Sequence, residues 1–437
     1  IIDKSIRCKT MSVKLYEYQE SAVTQAIEKI NRYRIVYLAM GMRTGKTIVS
    51  LEVCKRIGAN RVLILCSNDN MQRAFEDSHR MMNCKYSIDI SSHHHLTIQK
   101  YSNELYDCII IDEAHNFKAF PKTNARQKAL RNIIMNCRKK NLSPRIILCS
   151  GTPCPESYSD LFHQLWSVGF ETHKNFYSFA NQYVNIKEKR ISGGTIVKDY
   201  SDCREDYYNA LKHIFVIVSQ EQAGIFTNKR HKTIYCNMQI NRYVNELIDN
   251  SSTLINGEII VPDNIARELQ LIRQLCGGFY YIDNYNSSYH IVSLAKIEAI
   301  KRMMNTYKKM LIYYYYRAER EMLLNELRDK VTEDLNESKN SDKHYIAQMT
   351  SMREGITFTE CDAIVYYNID FSAITYIQSQ ERASLQSKSE VDIVYLISDS
   401  NFEEKVLKIL KRKKIMTSKI YESEIKKTIN KNINIWR

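Results

Sequence analysis

Short apolar runs recur along the first 150 residues without strict period-two alternation. Arg34–Met40 predicts a strand, then a glycine turn, then a helix from Lys46 to about Arg56. Arg61–Cys66, Asp107–Ile111 and Arg145–Cys149 predict further strands. Continuously apolar strands fit burial on both faces, and strands alternating with helical patterns build a parallel sheet with crossover helices. The pattern blurs between about Phe170 and Val292, where glycine and polar residues cluster at Ile191–Thr195 and near Asn284 to Ser288. Helical insertions and a connector are expected there. A second alternating block opens near Ser293, with strands expected at Lys309–Tyr315, His344–Gln348, Ala363–Ile369 and Val391–Ile397. The expected fold class is therefore α/β with two sheet-bearing lobes, at residues 11–220 and 291–412, joined by a connector or insertion at 221–290 and followed by a basic tail at 413–437.

The 437 residues suffice for two or three domains with cores of their own. Lys and Arg total 63 against 49 Asp and Glu, a formal charge of +14. An excess of that size favours a polyanionic partner, usually nucleic acid, and fits a merely basic protein equally well. The 12 cysteines are scattered with no C-x-x-C pair, so reduced thiols in a cytosolic compartment are expected and zinc is not. No apolar run approaches the roughly 18–20 residues of a membrane span, and no signal peptide is visible. Cytoplasmic placement, host cytoplasm for a viral chain, is the expectation, with Met11 as candidate initiator. Thirty Tyr beside 5 Pro, 12 Gly and 2 Trp suggest AT-rich coding, as in phages, large viruses or AT-rich bacteria.

Three motifs carry chemistry, each behind an apolar run. Gly41-Met42-Arg43-Thr44-Gly45-Lys46-Thr47 lies between a strand and a helix. Loop amides and a helix N-terminus there point donors at phosphates, Lys46 would reach the β- and γ-phosphates, and Thr47 would ligate Mg²⁺. The strict phosphate-loop pattern wants glycine where Met40 sits; here Gly41 comes one place later. Asp112-Glu113 closes the strand Cys108–Ile111. An acid at that tip holds Mg²⁺ through water, and its neighbour orients and activates the attacking water. Ser150-Gly151-Thr152-Pro153 closes the next strand, with small hydroxyls suited to bond the Asp112-Glu113-Ala114-His115 segment and link nucleotide state to lobe geometry. Together the three point to ATP hydrolysis with ATP and Mg²⁺ as the bound species.

With these residues in view, the chain resembles superfamily 2 helicases, and within them the Swi/Snf-type (chromatin-remodeller-like) translocases in the compact form seen in phages. Leu15-Tyr16-Glu17-Tyr18-Gln19 resembles the family's adenine-reading segment, which implies that role for Gln19. Thr97–Tyr101 resembles the segment ahead of the acidic motif, Asp112–Lys118 its D-E-A-H-x-x-K form, and Ser293–Lys296 the entry to the second lobe. Gly355-Ile356-Thr357-Phe358 and Gln378-Ser379-Gln380-Glu381-Arg382 resemble the later motifs. The resemblance covers residues ~13–400. It implies two RecA-like P-loop NTPase lobes with Gln19, Lys46, Thr47, Asp112 and Glu113 from one and Gly355, Gln378 and Arg382 from the other. It also implies a nucleic-acid track, duplex DNA favoured, with no membrane role.

The second lobe departs from the family pattern. Leu385 occupies the place of a second arginine, Glu381 that of a glycine, and Val216–Gln220 lacks an arginine pair. Arg382 would act alone, with Lys388 as a substitute, or a protein partner would supply the missing arginine. Two alternatives stay open: a nucleic-acid-binding or partner-recruiting module with weak ATP turnover, and a helicase that separates RNA or DNA strands. His93-His94-His95 reads as a polar loop because no carboxylate or Cys stands at ligand spacing. Tyr313–Tyr316 reads as a buried strand and its edge, with base stacking the lesser reading. Lys405, Lys408, Lys411, Arg412, Lys413 and Lys414 read as a solvated last helix, with a nucleic-acid arm as the alternative. No nuclease carboxylate–lysine motif and no methyltransferase glycine loop is present.

Overall fold

The computed structural model describes residues 14–93, 95–97, 101, 104–119, 121–190, 196–225, 228–282, 288–349, 358, 360–381 and 390–413. These form two compact units that meet in sequence between Gly224 and Ile225.

The first unit is built on a six-stranded, all-parallel sheet. Its strands are β1 (Ile35–Met40), β2 (Arg61–Cys66), β3 (Ser87–Ser92), β4 (Cys108–Ile111), β5 (Arg145–Ser150) and β6 (Phe215–Val218), in the spatial order β3-β2-β4-β5-β1-β6. The apolar runs are continuous because both faces are covered. Ile35, Tyr37 and Ala39 enter one core with Leu130, Ile134, Leu161 and Phe162, while Val36, Leu38 and Met40 enter another with Val23, Ala26, Val49 and Val53. Helices α1 (Glu17–Tyr33) and α2 (Lys46–Arg56) supply that second layer. Strands β1, β2, β4 and β5 lie within a residue of their expected bounds. The sequence reading did not place β3 and β6: four of the six residues of β3 are polar, and β6 has four residues inside the region where the pattern blurs.

The second unit repeats the plan. Strands β7 (Asn228–Cys236), β8 (Met310–Tyr314), β9 (Val331–Thr332), β10 (His344–Gln348), β11 (Ala363–Tyr366) and β12 (Glu390–Ser398) form a parallel sheet ordered β9-β10-β8-β11-β12-β7. Again alternate residues part: Met310, Ile312 and Tyr314 enter one core, Leu311 and Tyr313 the other. Both sheets have RecA-like architecture, and the chain is α/β. Residues 221–290, read as a connector, contribute the edge strand β7, helices Asn241–Asn250 and Ile265–Cys276, and two hairpin strand pairs. Tyr313 and Tyr314 are buried in β8, as the strand reading expects, while Tyr315 and Tyr316 are half-buried just beyond it. Lys405, Lys408 and Lys411 are exposed on the helix 402–413, whose Leu407 and Leu410 are buried; Lys414 and the rest of the tail lie outside the described residues. Among the described residues, no helix is long and apolar enough to cross a membrane.

Candidate functional site

Strand β1 runs fully buried to Met40, and the chain then turns through the loop into α2. Two residues of that loop have left-handed backbone, Arg43 at φ 65° and Gly45 at φ 83°. Alternating handedness of this kind turns successive amides toward one side, the geometry of an anion nest. Gly45 is the residue before α2, and no side chain caps the helix there. Those first amides and the positive end of the helix dipole suit a phosphate. Gly45 is also crowded, since a Cβ would lie 2.3 Å from Gln19 Nε2.

The loop is held on several sides. Thr44 Oγ1 donates to Gly41 O at 2.7 Å, and Gln19 Nε2 donates to Thr44 O at 3.2 Å. Gln19 Oε1 accepts from Tyr16 N at 3.1 Å, so the glutamine is buried and fixed at both ends of its amide. Lys46 Nζ donates to Met40 O at 3.2 Å and Gly41 O at 3.3 Å, folded over the loop. A Cβ on Gly151 would lie 3.6 Å from that ammonium, which places the tip of β5 beside the loop. Thr47 is half-buried in the first turn of α2.

Asp112 follows β4 directly, is 3% exposed, and ties the strand end to β2 through Asp112 N donating to Leu65 O at 2.8 Å. Glu113 has φ 45°, a left-handed conformation that costs a non-glycine residue of order 1–3 kcal/mol. Its Oε2 lies 3.2 Å from His115 Nδ1. The same ring nitrogen is 2.9 Å from Ser150 Oγ and 3.5 Å from Thr152 Oγ1, and Ser150 Oγ accepts from Thr152 N at 2.9 Å. His115 therefore bridges the acidic tip of β4 to the hydroxyls at the tip of β5. Burial pushes the Cys149 thiol well up, with the Asp112 carboxylate adding to it, Lys46 opposing and Glu113 adding, so these three charges lie near this strand end.

The structure brings Gln19, Gly41, Arg43, Thr44, Gly45, Lys46, Thr47, Asp112, Glu113, His115, Ser150 and Thr152 to one end of the first sheet. Gln378 is buried on the helix Ala373–Gln380 of the second unit. Gly355, Arg382, Leu385 and Lys388 lie outside the described residues. Glu381 pairs with Lys229 at 2.5 Å within the second unit.

Among the described residues no group of three His, Cys, Asp or Glu is placed to hold a metal ion. Magnesium delivered with a nucleotide needs only one or two protein oxygens beside phosphates and waters, and the buried carboxyl of Asp112 and the hydroxyl of Thr47 suit that donor set. The sequence reading of the histidine run needs correcting at His93. It is buried at the end of β3, its N donating to Cys66 O at 2.8 Å, and burial, with Arg126 and His115 nearby, drives its imidazole down to about 3. His95 is exposed, and His94 lies outside the described residues. Sequence reasoning also missed Gln220, whose Nε2 donates to Met42 O at 3.2 Å. It closes the segment Val216–Gln220, to which the sequence reading assigned no role of its own, and the pairing of β6 with β1 brings it there.

A family model described as type III restriction enzyme, res subunit, matches residues 12–154. The chain is 26% identical over 200 residues to a SWI/SNF-related matrix-associated actin-dependent regulator of chromatin subfamily A-like protein 1 homolog of Caenorhabditis elegans, covering 41% of this chain and 27% of that protein. It is 21% identical over 347 residues to the Drosophila melanogaster protein of that name, covering 74% of this chain and 42% of the relative. The matched stretches thus span less than half the length of these curated relatives. The ordered motifs, the two RecA-like sheets and these likenesses support a helicase of superfamily 2 similar to Swi/Snf-type proteins.

Proposed function

We propose that this chain is a nucleic-acid-dependent ATPase that hydrolyses ATP to ADP and phosphate and steps along duplex DNA. The observation that carries the reading is the convergence of the uncapped loop at α2, the acidic pair after β4 and the His115-linked hydroxyls after β5 at one sheet end. The loop amides and Lys46 would take the phosphates, with Lys46 exchanging the Met40 and Gly41 carbonyls for phosphate oxygens. Asp112 and Thr47 would hold magnesium, which neutralises charge on the phosphates when bound. Glu113 would orient water, and its contact with His115 would pass the state of the acidic tip to Ser150 and Thr152. Gln19 would read the base, and Gly355, Gln378 and Arg382 of the second unit would complete the machinery, Arg382 stabilising charge on the transferred phosphoryl. The net charge of +14 favours a phosphate backbone as the track; duplex DNA in particular rests on the Swi/Snf likeness.

The test is steady-state ATP hydrolysis without polymer and with duplex DNA, single-stranded DNA or RNA, with Lys46→Ala as the blank. Stimulation by duplex DNA that disappears in Lys46→Ala is the expected result. Stronger stimulation by RNA, with unwinding of tailed RNA duplexes, overturns the duplex-DNA track. Tight DNA binding with hydrolysis no higher than the blank overturns the motor and favours a recruiting module.

A further inference from the structure

The candidate phosphate loop is supported by Gln220, a residue to which the sequence reading assigned no role. Strand β6 lies beside β1 with Met40 opposite Val218. Where the two strands end, Gly41 N donates to Val218 O at 2.8 Å, and two residues later Gln220 Nε2 donates to Met42 O at 3.2 Å. A Cβ on Gly41 would lie 2.9 Å from Gln220 Cγ and 3.1 Å from Gln220 N. Gly41 is thus required by the close approach of Gln220 and not by its own dihedral angles, which accounts for a glycine one place later than the strict pattern.

Gln220 stands on a fixed base. Ser219 N donates to Gln222 Oε1 at 2.8 Å, and Gln222 N donates back to Ser219 Oγ at 3.1 Å. Ala223 N donates to Ser219 O at 3.3 Å, and Gly224 N to Glu221 O at 2.9 Å. This turn ends at Gly224, and the second unit begins at Ile225. The loop at Met42 and the chain's exit from the first unit are therefore tied through one side chain and one hydrogen-bonded turn. A displacement of Met42 has a direct covalent and hydrogen-bonded route to the connector, separate from the His115–Ser150 route.

We propose that Gln220 is a positioning residue. It holds the phosphate loop in its nucleotide-receiving form and passes changes in that loop to the start of the second unit. It acts through the Met42 carbonyl and the space above Gly41. The proposal rests on the reading of this loop as the nucleotide site.

The experiment compares the full chain with Gln220→Met, which keeps the packing under Gly41 and removes the donor, and with Gln220→Ala, which removes both. Fluorescent ADP binding, ATP KM and kcat, stimulation by duplex DNA, and melting temperature are measured on each. Loss of one hydrogen bond to the loop predicts for Gln220→Met a KM and an ADP Kd raised about three- to tenfold, with polymer-free kcat within about twofold of wild type. Stimulation by DNA should fall, and the melting temperature should match wild type. Gln220→Met with wild-type KM and stimulation overturns the proposal. So does a rise in KM that appears only alongside a lowered melting temperature, which marks a merely structural residue. A wild-type chain that binds no fluorescent ADP overturns the nucleotide-site reading itself; wild-type binding with an unchanged Gln220→Met overturns only this one.

Discussion

At the loop of the first unit, Lys46 rests on two backbone carbonyls, α2 begins without a side-chain cap, and Arg43 and Glu113 adopt left-handed backbone. In the second unit, Lys296 is wholly buried and bonded to Glu403 Oε1 at 2.7 Å and Tyr367 O at 2.8 Å, while Glu403 Oε2 accepts from Ser398 N at 2.7 Å. Glu319 is also buried there and accepts from Tyr315 N, Tyr316 N and Asn368 Nδ2 at 2.7, 3.0 and 2.6 Å. Two sheets of one plan thus use their polar groups differently. The first holds donors and strain at an end where a ligand would satisfy them, and the second bonds its buried Lys296, Glu403 and Glu319 internally. Substitutions at the first unit's Lys46 or Glu113 should therefore cost rate, and those at the second unit's Lys296 or Glu403 should cost stability.

The largest contrast should come from Glu113→Gln. Losing a water-orienting carboxylate should lower kcat about 10²- to 10⁴-fold, while the melting temperature stays at the wild-type value. A variant that unfolds early and hydrolyses normally would reverse the assignment of roles at this end of the sheet.

Lys296→Met probes the other side. It leaves Glu403 as a buried charge without its cation, which should destabilise by about 3–5 kcal/mol. Adding Glu403→Gln should recover most of that loss, because a neutral pair avoids the desolvated charge. Calorimetry of both variants, with fluorescent ADP binding followed in parallel, checks this. Unchanged melting of Lys296→Met would show that the second unit does not depend on its saturated pair.

Asp160 sharpens the comparison by pH. Its Oδ2 accepts from Glu156 N at 2.8 Å and Ser157 N at 3.2 Å, while Oδ1 has no hydrogen-bond partner among the described residues. Burial pushes the carboxyl up to about 6, with Lys118 opposing. A raised carboxyl binds more protons folded than unfolded, so its cost is absent below the ordinary value of 3.8 and grows as pH rises to about 6. The stability of Asp160→Asn relative to wild type should then move in favour of the variant by roughly 2 kcal/mol between pH 4 and pH 7. Any fixed cost of burying the amide cancels in that difference. His93 acts in the opposite sense in both proteins: held down to about 3, it loses stability as pH falls below the ordinary 6.5. A flat difference across the range in urea melts would mean Asp160 is ionised without penalty in the fold.

The same contrast explains what could be read from the sequence. Strands buried on both faces, such as β1, β2, β4 and β8, announce themselves as continuous apolar runs, and the phosphate loop and acidic pair follow them at fixed offsets. Gly41–Thr47, Asp112, Glu113, Ser150 and Thr152 were legible as candidates for that reason, whereas Gln19 came only from the family resemblance. Pairing across the sheet was not legible. Gln220 reaches the loop only because β6 lies beside β1, and His93 is buried only because β3 ends beside β2, facts that no local pattern carries. Polar edge strands were equally hidden, because their stability comes from partners distant in sequence.

Strand β7 is that last case, and it carries the smallest predicted effect. Its residues Asn228–Cys236 include Lys229, Arg230, His231 and Lys232 and are mostly exposed, so nothing apolar marks them as a strand. What seats them against β12 is Asp392, 2% exposed, which accepts from Lys232 Nζ at 2.6 Å, Tyr307 OH at 2.7 Å and Arg230 Nε at 2.8 Å. Burial raises the Asp392 carboxyl, but these hydrogen bonds outweigh it and leave it below its ordinary value. A depressed carboxyl adds stability that is present above the unfolded value of 3.8 and lost as pH falls through the folded one. Because Arg230 and Lys232 are half-exposed and screened, Asp392→Asn should cost only about 1 kcal/mol. The loss should be local: amide exchange along 228–236 should quicken while β8 and β11 stay protected. Uniform quickening across the sheet would instead make β7 part of the core of the second unit, and its polar sequence would then hide a load shared with the apolar strands.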